Sequence, residues 1–364
     1  MAPTKKAGVL GATGSVGQKF ILLLSEHPEF ELYKLGASSR SAGKAYKDAV
    51  KWRQTATIPE LAQNLVVVDC KSSEFADCDV VFSGLDADVA GDIEKEFSEN
   101  GLVVISNAKN YRRVPDVPLV VPLVNTSHLD VISRRIKAAN EQNLPKSKRG
   151  YIICNSNCST AGLVVPLGAL MEKFGPISTV TVTTMQAISG GGFSPGVPGF
   201  DILDNVIPFI SGEEEKLEWE TKKILGNVGD DDTFVPLSDM KVSAQCNRVA
   251  VTDGHLECVS MAFASDKKPS LEQVKQALRD FRSEVQVLNC ASAPKQAIHV
   301  LEENDRPQPR LDRDRDSGYA VSVGRIREDP VLDFKFVVLS HNTVIGAAGS
   351  GILIAETLLG RGLL

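Results

Sequence analysis

The chain lacks a surplus of positive charge, a long apolar run and more than a handful of histidines. Its 40 Lys and Arg are outnumbered by 46 Asp and Glu, a net charge of −6. That balance offers nucleic acid no basic surface and makes such a partner improbable. No run of about 18 apolar residues exists, so no segment reads as a membrane-spanning helix. Met1 to Lys6 leads straight into a strand pattern. It lacks the roughly 7–15-residue apolar stretch of a signal peptide, so a cytoplasmic home is expected. There the seven cysteines should stay reduced. Their spacing is scattered; Cys154 and Cys158 have no matching Cys/His pair, so no metal is expected. With 43% hydrophobic and 24% charged residues, the 364-residue chain reads as globular, with room for two domains.

What is present falls into two textures. In the first part, β-rich runs at Ala7–Leu10, Glu31–Ala37, Leu65–Cys70, Asp79–Leu85 and Leu102–Asn107 alternate with helical patterns at Gln18–Glu26 and Ala87–Asn100. Such alternation predicts an α/β, Rossmann-like, doubly wound parallel sheet. The polar stretch Asn140–Arg149 reads as a surface loop. Beyond Tyr151, long strand patterns dominate: Ser178–Ile188, Val242–Val251, Leu256–Ala264, Tyr319–Ile326 and Asp333–Leu339. Helical patterns at Ala161–Phe174, Glu214–Ile224 and Leu271–Ser283 interleave, which predicts an α+β domain with a mixed sheet. The apolar, small-residue segment Gly346–Leu359 is expected to return as a helix onto the first domain. The expected division is 1–155, completed by 343–364, and 156–342. The alternating run Asp312–Asp316 reads as a solvated loop.

At the cofactor end, Gly11-Ala12-Thr13-Gly14-Ser15-Val16-Gly17 follows the first strand and opens the first helix. Glycines there permit a tight turn, close approach of a pyrophosphate and close helix packing. An NAD enzyme usually carries an acid at the end of its second strand. Here that end reads Gly36-Ala37-Ser38-Ser39-Arg40, and Glu31 sits at the wrong end. Hydroxyls and a guanidinium suit a 2′-phosphate, so NADP is the expected cofactor.

At the chemical end, Ser156-Asn157-Cys158-Ser159-Thr160 lies between a strand and a helix. A cysteine at a helix N-terminus is expected to favour its thiolate. Free N–H groups there can also hold an oxyanion. Of the five histidines, His255 stands out because it follows Asp253-Gly254, a two-residue hairpin signal. Such a hairpin would pair Thr252 with His255 and place Arg248 on the same face. The arginine would then clamp a carboxylate while the histidine serves as acid/base. Gln186 to Gly192 ends in three glycines and can approach a ligand closely, and Glu213-Glu214-Glu215-Lys216 opens a helix.

These motifs resemble the archaeal and fungal branch of the aspartate-semialdehyde dehydrogenases. The carrying segments are GATGSVG at 11–17, SNAKNYR at 106–112, SNCST at 156–160, QAISGGG at 186–192, GEEEK at 212–216, NRVAVTDGH at 247–255 and HNTVIGAAG at 341–349. The resemblance implies Cys158 as the nucleophile that forms an acyl-thioester, His255 as acid/base and Gln186 as the group that orients the acyl intermediate. It implies Arg248 on the substrate α-carboxylate, Glu213 on its α-ammonium, and Arg112 and Lys216 on phosphate, with Arg113 a substitute for Arg112; Asn157 joins the substrate site. NADP would touch Gly11, Thr13, Gly14, Ser15, Val16, Ser38, Ser39, Arg40, Ser83, Gly84, Ser189 and Gly190, with Asn342 near the nicotinamide. The reaction implied is NADPH-dependent reduction of L-aspartyl-4-phosphate to L-aspartate-4-semialdehyde with release of phosphate, in threonine and methionine synthesis, by a homodimer or homotetramer.

Related reactions remain open on sequence. N-acetyl-γ-glutamyl-phosphate reductase shares the logic, but would have Asn-Pro-Gly before its cysteine and no need of Glu213. Glyceraldehyde-3-phosphate dehydrogenase would carry Ser-Cys-Thr-Thr-Asn. Malonyl-CoA reductase needs an open pocket, which sequence does not show. A non-catalytic NADP-binding sensor would leave the filled reactive positions without purpose.

Overall fold

The computed structural model describes residues 4–145, 149–193 and 196–364. Seven strands form one all-parallel sheet: β1 (Lys5–Leu10), β2 (Phe30–Ala37), β3 (Val67–Asp69), β4 (Val80–Ser83), β5 (Val103–Ser106), β6 (Leu119–Val120) and β7 (Tyr151–Asn155). Their order is β3-β2-β1-β4-β5-β7-β6. The chain reverses direction of travel between β1 and β4, and the crevice at such a point is where doubly wound sheets bind ligands. Strands buried on both faces read as near-continuous apolar runs, which makes six of the seven legible; the two-residue β6 is too short to leave such a run. A short pair, β9 (Asn227–Val228) and β10 (Phe234–Val235), stands apart from β8 (Ile177–Gln186) and the strands that pair with it. The second sheet adds to β8 the strands β11 (Lys241–Arg248), β12 (His255–Phe263), β13 (Ile298–Leu301), β14 (Val321–Glu328) and β15 (Phe334–Ser340). Its order is β11-β8-β12-β15-β14-β13, with parallel pairs at both edges and antiparallel pairs between.

The helices of ten residues or more are α1 (Ser15–Leu24), α2 (Ala87–Glu99), α3 (Asp130–Glu141), α4 (Cys158–Phe174), α5 (Glu213–Ile224), α6 (Leu271–Asp280) and α7 (Gly349–Gly360). Helix α3 was not foreseen, since its sequence is polar on most of its circumference; Val131, Ile132 and Ala139 bury its narrow apolar stripe. It takes in Asn140 and Glu141 from the expected loop, of which residues 146–148 lie outside the described residues. Helix α4 is apolar all round and packs against β8, β12 and β15 as well as α5. Helix α7 packs on α1, β4 and β5, where Gly351 lets Phe20 and Ile105 approach. Among the described residues no helix is long and apolar enough to cross a membrane.

Two expectations fail. Asp253-Gly254 does not close a hairpin, because β8 lies between β11 and β12. Strand β11 joins β8 in parallel through the α5 crossover, so residues 249–254 step across the end of β8, with Gly254 at φ +98° making the bend. The Asp312–Asp316 run is not a solvated loop. Asp312 is buried and ion-paired to Arg306 and Arg315, and Arg313 Nη1 donates to the Asp253 carbonyl at 3.0 Å. Alternating signs here serve mutual pairing across a tight turn rather than solvation.

Candidate active site

The turn at 11–17 is shaped by what it excludes. Gly11 has φ +69°, and a Cβ on it would lie 2.6 Å from the Gly84 carbonyl oxygen. A Cβ on Gly17 would lie 2.1 Å from the Gly11 carbonyl oxygen, so the helix start and the turn touch backbone to backbone. Gly14 caps α1 without a side chain, leaving the N–H groups of its first turn free for an anion. The Ala12 amide donates to the Gly36 carbonyl at 2.9 Å, which brings Ser38, Ser39 and Arg40, all exposed, beside the turn. Ser83, at the end of β4, is buried, and its hydroxyl has no partner among the described residues. This cradle fits a dinucleotide with an exposed anion-binding rim.

Across the cleft, Cys158 is the first residue of α4, and Asn157 caps that helix, its Oδ1 accepting from the Ser159 and Thr160 amides at 2.9 and 3.2 Å. The sulfur lies 3.1 Å from His255 Nε2. Register explains the convergence: Arg248 pairs with Gln186 and Leu256 with Met185, so Arg248, Gln186 and His255 end three adjacent strands at one level. Arg248 and His255 therefore meet without a hairpin, and a Cβ on Gly190 would lie 2.9 Å from Arg248 Nη1 and 3.3 Å from His255 Cε1. Gly346 closes the site from behind, where a Cβ would lie 3.0 Å from Cys158 Cβ.

The Ala187 amide donates to His255 Nδ1 at 3.1 Å, and the Ala187 carbonyl accepts from Arg248 Nη1 at 2.7 Å. An amide N–H can only donate, so Nδ1 is unprotonated and the neutral ring carries its proton on Nε2, facing the sulfur. Burial, with Arg248 adding to it, lowers the His255 pKa to about 3. Burial also pushes the Cys158 thiol up to about 12; Glu213 adds to this, while Arg248, Arg112 and Lys216 pull down. The helix N-terminus was expected to leave a thiolate. Desolvation by the surrounding protein and a facing carboxylate outweigh it, and the resting pair is thiol and neutral imidazole.

Helix α5 supplies the rest. Asn157 Nδ2 donates to Glu213 Oε1 at 2.6 Å, and Lys216 Nζ donates to Glu213 Oε2 at 2.9 Å. Burial raises the Glu213 pKa, yet Lys216 and the Asn157 amide outweigh burial and hold it below the usual carboxylate range. Arg112 is buried, whereas Arg113 is exposed and lies over the Trp219 ring at 5.3 Å. Gln186 is buried, with its amide near Thr184 Oγ1 at 3.3 Å. Asn342 accepts from the Gly254 amide at 2.8 Å and donates to Ser189 Oγ at 2.8 Å, tying both loops together. A Cβ on Gly192 would lie 4.0 Å from Ser15 Oγ, so the glycine loop faces the start of α1.

Sequence reasoning missed three residues. Ala187 acts through its backbone and leaves no signal in its side chain. Glu220 and Lys223 are buried on α5, on the same face as Glu213. Their signal was readable: charges at 213, 216, 220 and 223 recur at helical spacing, interleaved with Leu217 and Ile224.

Comparison with known proteins places this architecture. Residues 6–132 match the family model "Semialdehyde dehydrogenase, NAD binding domain", and residues 167–345 match "Semialdehyde dehydrogenase, dimerisation domain". The chain is 68% identical to an aspartate-semialdehyde dehydrogenase of Candida albicans, covering 99% of each chain. It is 65% identical to the enzyme of Saccharomyces cerevisiae, covering 100% of each. A crystal structure of the Candida albicans enzyme with NADP superposes with a TM-score of 0.95 at 66% identity, covering 100% of both chains.

Proposed function

The chain belongs to the aspartate-semialdehyde dehydrogenase family, and from that premise we propose that it reduces L-aspartyl-4-phosphate to L-aspartate-4-semialdehyde with NADPH, releasing phosphate. The observation that carries the reading is Cys158 Sγ at 3.1 Å from His255 Nε2, across a cleft from the glycine turn.

In this reading residues 1–155 with 343–364 form the cofactor domain, and 156–342 the catalytic and dimerisation domain of a cytoplasmic homodimer or homotetramer. Gly11, Thr13, Gly14, Ser15 and Val16 would hold the pyrophosphate, and Ser38, Ser39 and Arg40 the 2′-phosphate. Ser83, Gly84, Ser189, Gly190 and Asn342 would line the nicotinamide side. NADPH, when bound, supplies hydride to the acyl carbon.

Everything else falls to side chains. Arg248 receives the α-carboxylate. Glu213 exchanges its bond to Lys216 for the α-ammonium, which frees Lys216 for phosphate. Gln186 faces the acyl group. Sulfur then attacks the acyl carbon, the C–S bond forms and the C–O bond to phosphate breaks. The thiol proton ends on the departing phosphate, whose charge Arg112 and Lys216 offset. Hydride addition makes an alkoxide, which expels the Cys158 thiolate as it becomes the aldehyde, and the thiolate takes a proton from solvent to restore the resting thiol. No proton is needed on that oxygen, so His255 serves it as a hydrogen-bond donor through Nε2, as a neutral imidazole can.

The test runs the reaction backwards, following NADPH formed from NADP, L-aspartate semialdehyde and phosphate. Formation only with this aldehyde and only with phosphate is expected. Formation with N-acetyl-glutamate semialdehyde instead would overturn the substrate, and silence with both, despite NADP binding, would overturn the reaction.

A further inference from the structure

Helix α5 carries Glu213, Lys216, Glu220 and Lys223 on one face, and each ties down a different part of the site. Glu220 does so in a way the reaction as described does not use. Its Oε1 accepts from Arg112 Nη1 at 2.8 Å, and its Oε2 accepts the backbone N–H of Asn157 at 2.6 Å. One buried carboxylate thus spans the guanidinium and the residue before the nucleophile. Arg112 Nη2 also donates to the Asn107 carbonyl at 2.7 Å, and Nε is buried with no partner among the described residues. Asn107 in turn accepts from Asn155 Nδ2 at 2.9 Å, and Lys223 Nζ donates to the carbonyls of Arg112, Val114 and Val117 at 2.8, 2.8 and 2.9 Å. The segment 107–117 is therefore pinned, and Arg112 has a fixed place with an unfilled N–H.

A buried guanidinium without a counter-ion is costly, and the protein supplies one internally. A phosphate that reaches the free N–H of Arg112 meets a cation already shared with Glu220. We propose that Glu220 is a positioning residue acting through Arg112: an internal counter-ion that holds Arg112 in place and weakens its grip on inorganic phosphate, so that phosphate can leave. The inference rests on the reading of Arg112 as a phosphate ligand.

The sign of one measurement separates this role from a merely structural one. In Glu220→Gln, the amide oxygen can still accept the Asn157 N–H, but Arg112 loses its counter-ion. The phosphate KM in the semialdehyde-oxidising direction is expected to fall about tenfold, a typical size for coupling between adjacent sites. The NADP KM should not move. The phosphate concentration that half-protects Cys158 from iodoacetamide should fall in parallel. Damage to packing would loosen phosphate, so an unchanged or raised KM overturns the inference. Should Glu220→Gln fail to fold, Glu220→Met decides, because it also removes the carboxylate from Arg112 at similar side-chain length and should shift the phosphate KM the same way. Arg112→Gln is the control, expected to raise the phosphate KM. If it does not, the reading of Arg112 fails and the role of Glu220 fails with it. If it does, while the folded Glu220 variant leaves the KM unmoved or raises it, only the role of Glu220 fails.

Discussion

Between Gly11, Gly17 and Gly84 the cofactor turn leaves no room for a methyl group, whereas around Cys158 the protein pairs Glu213 with Lys216 and Glu220 with Arg112 and ties Arg248 to the Ala187 carbonyl. In the proposed reading one end recognises by backbone and by absence of side chains. In the same reading the other recognises by charges drawn from α5, β11 and the segment after β5. The backbone end tolerates loss of an ordinary side chain but not the gain of one. The charged end tolerates no unpaired loss, since each removal strands a buried partner.

The largest test lies at the charged end. Cys158→Ala should abolish turnover while NADP binding, followed by nicotinamide fluorescence, stays intact. Residual turnover above background would remove the sulfur from the reaction and dissolve the contrast between the ends.

Its counterpart at the backbone end is Gly17→Ala. The added methyl would sit 2.1 Å from the Gly11 carbonyl oxygen. Overpacking of this kind costs about 1–3 kcal/mol of stability. The turn must also open, so NADP affinity should fall more than tenfold, to judge by the roughly 1.4 kcal/mol that each factor of ten represents. Calorimetric titration with NADP would check this, and unchanged affinity would mean that the close approach is not functional.

The contrast also explains what could be read in advance. A site made of backbone is written locally, so the spacing of Gly11, Gly14 and Gly17 and the Ser38-Ser39-Arg40 strand end were legible. A site made of side chains is written across the chain. Cys158 was legible because strand, cap and helix are contiguous there. His255 and Arg248 were found, but through a hairpin that does not exist; parallel pairing of β11 with β8 is a non-local fact that a turn signal cannot report. Glu220 and Lys223 went unread although they recur at helical spacing with Glu213, because what puts that face inside is the non-local packing of α5 on α4 and β11. The Asp312–Asp316 run was misread for the same reason.

A subtler test addresses His255. A neutral Nε2–H donor can be imitated, whereas a proton carrier cannot. His255→Gln should therefore retain more kcat than His255→Ala, which should lose about 10²–10³-fold, the usual cost of one oxyanion donor. Equal losses would return the ring to proton transfer. The pH dependence of stability is a second check. With folded pKa values of about 3 for His255 and about 4 for His341, against an ordinary 6.5, these two histidines bind more protons in the unfolded chain between about 4 and 6.5. Their contribution to stability should be lost as pH drops through that window, against the opposite contribution of the buried, raised Glu257 and Glu94 carboxyls, and stability should fall less in His255→Gln than in the unaltered chain.

Arg248→Lys asks whether the charged end needs geometry or only charge. Lysine keeps the charge but loses the fork that pairs with a carboxylate and the bond to the Ala187 carbonyl. The KM for the semialdehyde should rise by about tenfold to a hundredfold, as loss of a charge-assisted hydrogen bond would give. The NADP KM should hold. Parallel changes in both would assign Arg248 to the architecture of β11 rather than to the substrate.

The smallest effect belongs to the one charged residue of the backbone end. Arg40 is exposed, its only hydrogen bond runs from Lys44 to its carbonyl, and nothing holds its guanidinium among the described residues. That freedom distinguishes it from Arg112, whose place is fixed before any ligand arrives. A free arginine must be ordered on binding, and water and salt screen it, so it contributes less than a buried one. Arg40→Ala should therefore narrow the ratio of kcat/KM for NADPH over NADH by about tenfold without abolishing it, because Ser38 and Ser39 still offer hydroxyls to a 2′-phosphate. The narrowing should shrink further at high salt. An unchanged ratio would move 2′-phosphate recognition away from the end of β2; complete loss of preference would mean that this end, too, recognises by charge rather than by backbone.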